Sequence, residues 1–270
     1  MRLLTTLGLA SLVIVLASCS SDEPTAPTTS FPAYVHAVSG SYMTYSNVTV
    51  AIDPATKQTT QQPAPSDSSV VVNAQTGELI EPTTSTKVPF YNTVSNVFTN
   101  NELTDTVTLS QVGGKITQSF RLSYDIQAFA LDIGRKNVVI CDLGNSTWTA
   151  LKDTVLPFDF PGLPQYKVSG TLNFTGKSLG DETVTLNGQS IKTKKSQIDL
   201  NATLYLAAGP TQLPLPIKLV RTYWFAEKLG VVKMEQNADV IDLGIIGGFL
   251  GTPVQAVPGL IQTAKSWSTR

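Results

Sequence analysis

Any chemistry in this chain must come from a short supply of reactive side chains. The sequence holds one histidine, His36, and two cysteines, Cys19 and Cys141. A Ser-His-Asp arrangement would have to recruit His36, which follows a Pro- and Thr-rich stretch and has no nucleophile motif near it. Cys141 ends the run Val138-Val139-Ile140, the setting of a small buried hydrophobe rather than of an activated thiolate. Paired carboxylates for glycoside hydrolysis could be drawn from Asp125, Asp132, Asp142, Asp159 and Asp199, all on or near expected strands, where turn and outer-face roles are the simpler ones. Phosphate-binding Gly-rich loops, His-Glu-x-x-His helices, Gly-x-Ser-x-Gly elbows, calcium loops and Cys-x-x-Cys pairs do not occur. The expectation is a protein without metal, cofactor or enzymatic activity. Nineteen Lys plus Arg against twenty Asp plus Glu leave a formal charge of -1, too little field to hold a nucleic-acid backbone.

Cys19 is the exception, because its chemistry is set by what precedes it. Arg2 supplies a short positive start, and Leu3 to Ala17 form an apolar stretch of export-signal type, short for a membrane span. It closes on Leu16-Ala17-Ser18-Cys19, which resembles the lipobox of bacterial lipoproteins. The resemblance implies cleavage after Ser18, a thioether diacylglycerol on Cys19 and an acylated new N-terminus, carrying palmitate-like chains. Two or three chains anchor a protein stably where one does not. Residues 1–18 are thus read as a signal peptide and 19–30 as a lipidated tether, whose Ser, Thr, Pro and acidic residues show no apolar period. Within it, Ser20-Ser21-Asp22-Glu23 resembles the Ser-acidic signal of surface lipoproteins in the Bacteroidetes group, and reads equally well as the solvated start of a linker. The expected location is therefore exported and anchored in the cell envelope, at the outer membrane and, if that signal operates, on its surface. With Cys19 blocked by lipid, Cys141 has no disulfide partner.

Residues 31–270 read as a single β-rich domain. Turn signals recur at short spacing, and strands are expected over 42–52, 69–73, 88–99, 105–111, 116–126, 137–142, 166–175, 182–186, 190–194, 197–207, 217–225 and 230–235. Val168, Gly170, Leu172 and Phe174 alternate with polar residues, as do Ile198, Leu200, Ala202, Leu204 and Leu206, so these strands have one buried face and one wet face. Residues 53–69, with Pro54, Pro63 and Pro65, read as a long surface loop, and 156–164 as an apolar loop. Strands this long and half-polar suit a large, strongly curved antiparallel sheet or half-barrel.

Thr222-Tyr223-Trp224-Phe225-Ala226-Glu227-Lys228-Leu229-Gly230-Val231-Val232-Lys233-Met234-Glu235 resembles the closing hairpin of secreted bacterial proteins distantly similar to the LolA and LolB lipoprotein carriers, with Lys228 standing where those hairpins usually have Gly. The resemblance implies a half-barrel around an apolar hollow that receives acyl chains. Trp224, Phe225 and Phe249 are then candidates to line it, and the apolar, Gly- and Pro-rich tail 240–270 is expected to pack on or in the sheet, as a plug that completes the core or as a lid. Three functional classes follow: a binder or carrier of an apolar ligand, a ligand-free structural or interaction lipoprotein, and a carboxylate-dependent glycan hydrolase. The expected partners are a membrane, through the anchor, and a lipid or other apolar ligand. The sequence carries no signal of oligomeric state.

Overall fold

The computed structural model describes residues 31–81, 85–126, 129–160, 163–208, 211–244, 247–248, 251 and 253–268. Residues 1–30, among them Cys19 and the segments expected as signal peptide and tether, lie outside the described residues, as does Phe249. The architecture is all-β and antiparallel: one twelve-stranded sheet plus a separate two-stranded sheet.

The chain lays this sheet from the middle outward. A first meander runs β1 (Tyr42–Ile52), β2 (Thr59–Ile80), β3 (Lys87–Thr99), β4 (Glu102–Val112), β5 (Lys115–Ile126) and β6 (Phe129–Asp142). The chain then crosses to the opposite edge and returns through β7 (Thr147–Phe160), β8 (Leu163–Leu186), β9 (Gln189–Ala208), β10 (Thr211–Ala226) and β11 (Gly230–Gln236). After the short hairpin β12 (Asp239–Asp242) and β13 (Val254–Val257), β14 (Gly259–Ser268) slots between β1 and β11 and joins the two meanders. Its register runs from Tyr42↔Ser268 to Val50↔Gly259 on one side and from Lys233↔Thr263 to Gln236↔Leu260 on the other. The tail is therefore divided: β14 is a central strand of the sheet, neither plug nor lid, and only β12 and β13 pack across the sheet.

The sheet curls but does not close. Edge strand β6 lies across the inner face of the opposite end instead of pairing with β7, and its carbonyls are met by side chains: Trp148 Nε1 donates to Val139 O at 2.7 Å, and buried Ser196 Oγ to Ile140 O at 2.6 Å. The Trp148 ring can lie there because its cross-strand partner is Gly176, where a Cβ would stand 2.0 Å from the indole. The main core fills the overlap, with Ile116, Ile140, Leu172, Phe174 and Leu204 fully buried.

Earlier in the chain, too, the structure departs from the sequence reading. Residues 59–69, expected as loop, begin β2. The prolines are accommodated because β2 pairs with β3 only from Asp67 onward, so at Pro63 and Pro65 one side of the strand has no ladder to break. Residues 147–160 form β7 instead of leading into an apolar loop; as the outermost strand, with a register shift between Val155 and Phe158, it tolerates Pro157. The β8 and β9 segments read as separate short strands are continuous strands of 24 and 20 residues. In the β10–β11 turn Lys228 takes the left-handed conformation, φ 62°, that its usual Gly would adopt freely, and the hairpin forms with it.

Insertion of β14 demands close approach at its start, where a Cβ on Gly259 would stand 2.5 Å from Gln236 O and 2.6 Å from Ala238 N. Both obstacles are backbone atoms and cannot rotate away. Gly259→Ala is expected to cost about 1–3 kcal/mol by overpacking, read as a lower urea midpoint; unchanged stability would place β14 farther from β11.

Candidate functional site

Two hollows open on the inner face. They are set by strand alternation, and β10 shows how. Its inward row is Leu213, Leu215, Ile217, Leu219, Arg221, Tyr223 and Phe225, so every second residue faces the core and one of the row is a cation. Leu213, Leu215, Ile217, Leu219, Tyr223 and Phe225 are buried, and Arg221 is half-buried.

The first hollow, about 240 Å³, lies under β1 to β5 and the end of β10. Met43, Val71, Val97, Val107 and Leu109 give it apolar wall, while Asp67, Ser69, Thr93, Ser95, Asp105, Gln118 and Gln262 bring polar groups to it. Asp67 is its most connected group. Its carboxylate accepts from Asn47 Nδ2 at 2.7 Å, Thr99 Oγ1 at 2.6 Å and Gln262 Nε2 at 3.0 Å, which ties β2 to β1, β3 and β14. Burial, reinforced by the nearby Asp67 charge, pushes the Tyr45 phenol up and keeps it neutral. Asp105 pairs with Arg135. Among the described residues, His36 Nε2 and Gln118 Oε1, buried in this lining, have no hydrogen-bond partner.

The second hollow, about 250 Å³, sets Arg121, Ser123, Arg221, Gln236 and Gln255 among a largely aliphatic lining. Leu200, Leu215, Ile217 and Leu219 form its floor, and Ile241, Leu243 and Val257, from β12, the residue after it and β13, form its roof. The roof is a sheet of its own, paired from Asp239↔Val257 to Asp242↔Val254, and among the described residues no strand of the large sheet pairs with it. An isolated two-stranded hairpin is marginal in water, so β12–β13 holds its place through the burial of Ile241 and of Leu243, the residue after β12, in the main core. Arg221 lines both hollows.

The residues chosen from the sequence are placed otherwise. Trp224 and Phe225 are both buried but, being neighbours in one strand, face opposite sides. Phe225 stacks with Tyr223 in the main core, ring centroids 6.0 Å apart. Trp224 packs in a second cluster with Met43, Val184, Leu186 and Val232, with Lys195 Nζ 4.7 Å and Lys233 Nζ 4.4 Å from its ring centre. Neither is in the lining of these two hollows, to which β10 contributes Leu215, Ile217, Leu219, Arg221 and Tyr223. The candidate acids are separately engaged. Arg121 holds the Asp132 carboxyl below its usual range, Asp142 accepts from Gly144 N at 3.0 Å and Asn145 Nδ2 at 2.9 Å, Lys167 pairs with Asp159, and Asp199 accepts from Gln197 Nε2 at 2.6 Å. None of these four lines either hollow, and the side chain of Asp125 lies outside the described residues. Burial, then the neighbouring Asp142 charge, pushes the Cys141 thiol up to about 12, which leaves it a thiol at neutral pH.

No protein-family model and no curated protein matches the chain. Among solved structures, a protein from Parabacteroides distasonis described as a lipoprotein matches 88% of this chain and 99% of its own, at 7% identity and TM-score 0.44. A protein from Bacteroides fragilis described as exported, with a YmcC-like fold, matches 88% and 100%, at 10% identity and TM-score 0.43.

Burial lowers the His36 pKa, so the folded state holds this imidazole neutral while the unfolded chain protonates it near 6.5. Its contribution to stability is thus present above pH 6.5 and lost as pH falls toward the lower folded value. As the one histidine in the chain, it should dominate the change between pH 7 and 5.5. The urea midpoint is expected to fall over that range in the native protein and to stay level in His36→Phe; equal slopes would remove His36 as the cause.

Proposed function

We propose that this chain is a lipid-anchored, non-enzymatic protein of the bacterial cell envelope that holds an apolar ligand, an acyl chain by preference, under the β12–β13 hairpin. The observation that carries the reading is the second hollow: an aliphatic floor on the most regular strands of the sheet, covered by a hairpin that pairs with no strand of the large sheet. Anchoring rests on Leu16-Ala17-Ser18-Cys19 and its flanks, with the outer membrane as the membrane and Ser20-Ser21-Asp22-Glu23 favouring its surface.

A second reading, a structural or interaction lipoprotein with no ligand, is favoured by size. Each hollow is smaller than the roughly 300 Å³ at which pockets for drug-sized ligands begin. A carrier needs the two joined or the roof raised.

Anchoring is checked with Cys19→Ala, which should move the protein from the membrane fraction to the soluble one and abolish labelling by an alkyne fatty acid. The soluble variant then tests binding. Native mass spectrometry should find it with lipid, and a fluorescent fatty acid should bind. Leu219→Trp, which fills the floor of the second hollow, should weaken that binding at least about tenfold, on the order of 1.4 kcal/mol, with an unchanged far-ultraviolet circular dichroism spectrum. Protein free of lipid and indifferent to the fatty acid would leave the structural reading standing.

A further inference from the structure

Arg221 is the one charged residue in the inward row of β10, between Leu219 and Tyr223. A cation turned toward a core costs free energy unless an anion or hydrogen-bond acceptors compensate it. Among the described residues, no Asp or Glu forms an ion pair with it. Two contacts hold the group instead. Its Nε donates to Gln236 Oε1 at 2.8 Å across the β10–β11 pair, and its guanidinium carbon sits 4.9 Å from the centre of the Phe120 ring. Both fix the plane of the guanidinium. Neither uses the terminal fork of N–H groups, the part that grips a carboxylate through two parallel hydrogen bonds.

The position of this fork matters as much as its lack of an anion. Arg221 forms wall in both hollows, with aliphatic side chains on one side and the polar lining of the first hollow on the other. Arg121, whose own anion is Asp132, stands at the rim of the second hollow. A neutral apolar ligand has no use for a held cation, with no ion pair of its own among the described residues, in the wall of its site. A chain with one negative charge at its end does.

We infer that the ligand is an anionic single-chain amphiphile, a long-chain fatty acid, with its hydrocarbon under the β12–β13 roof and its carboxylate on the fork of Arg221. The inference deepens the proposed function and rests on it. The second hollow, at about 250 Å³, favours one chain over two. Gln236 orients the guanidinium from the neighbouring strand and is a positioning residue.

The test compares palmitate with hexadecanol, which has the same chain length and no charge at neutral pH, by displacement of a fluorescent fatty acid from the soluble Cys19→Ala protein. Palmitate is expected to bind at least about tenfold more tightly than hexadecanol, and raised salt should narrow the gap. Arg221→Gln should erase the preference by weakening palmitate alone, while Arg221→Lys, which keeps the charge and loses the fork, should retain part of it. Equal affinity of the two ligands for the Arg221 protein would overturn the inference and leave the proposed function intact, and this comparison does not depend on a variant folding. A preference that survives Arg221→Gln would place the anion elsewhere and overturn it too. If neither ligand binds, the failure belongs to the proposed function, and the inference falls with it.

Discussion

The backbone pairing of β14 with β1 on one side and β11 on the other is the contact on which the rest of the molecule depends. Each meander taken alone is an open sheet with an unpaired inner edge, at β1 or at β11. Inserting one strand satisfies both edges at once and sets the spacing of everything outward from them. The polar groups at the seam belong to the same solution. Asp67 takes hydrogen bonds from Asn47, Thr99 and Gln262, so a single carboxylate fastens β2 to two neighbouring strands and to β14. Gln111 does similar work for the segment before β1: fully buried, it accepts from Tyr34 N and donates to Pro32 O and Gly113 O, leaving no amide group idle.

With the middle fixed, the outer edges face the usual hazard of exposed strands. The protein answers at β6 by curling. Trp148 and Ser196 cap two of its carbonyls from the face of the opposite end, and the apolar side chains between the overlapping ends become the main core. Curling also makes the hollows, since a sheet bent over itself cannot keep both halves at packing distance along its full width. At β7 the answer is different: Pro157 and a register shift make the strand a poor template for further pairing.

Much of this was legible in the residues. The alternation over 168–175 and 198–206 places the inner face correctly, because each of those strands is flanked on both sides and has one wet face. The alternation fails to announce β7, whose Thr147-to-Phe160 run includes exposed Leu156 and Pro157, since an edge strand is not obliged to hide one face. It fails at β14 for a different reason: Gly259 and the prolines before it look like breaks, and the partners that make the segment a strand lie more than 200 residues away in β1. The site divides the same way. Of the two candidates Trp224 and Phe225, the period of two that the same strand displays turns one inward, and it is Phe225, in the main core. Arg221 could have been found by extending that period from Ile217 to Phe225 and asking why one inward position is charged. Asp67 could not, because its meaning depends on Gln262, 195 residues on.

The central place of β14 also governs time. A chain made from its N-terminus onward can form the β1-to-β6 meander early, through neighbouring hairpins, and the β7-to-β11 meander next. The seam must wait until β14 has been synthesised, and closing it joins segments separated by most of the sequence, a slow kind of step. Until then β1 and β11 offer unpaired edges. An unfinished sheet of this sort is the species most exposed to strand-to-strand aggregation.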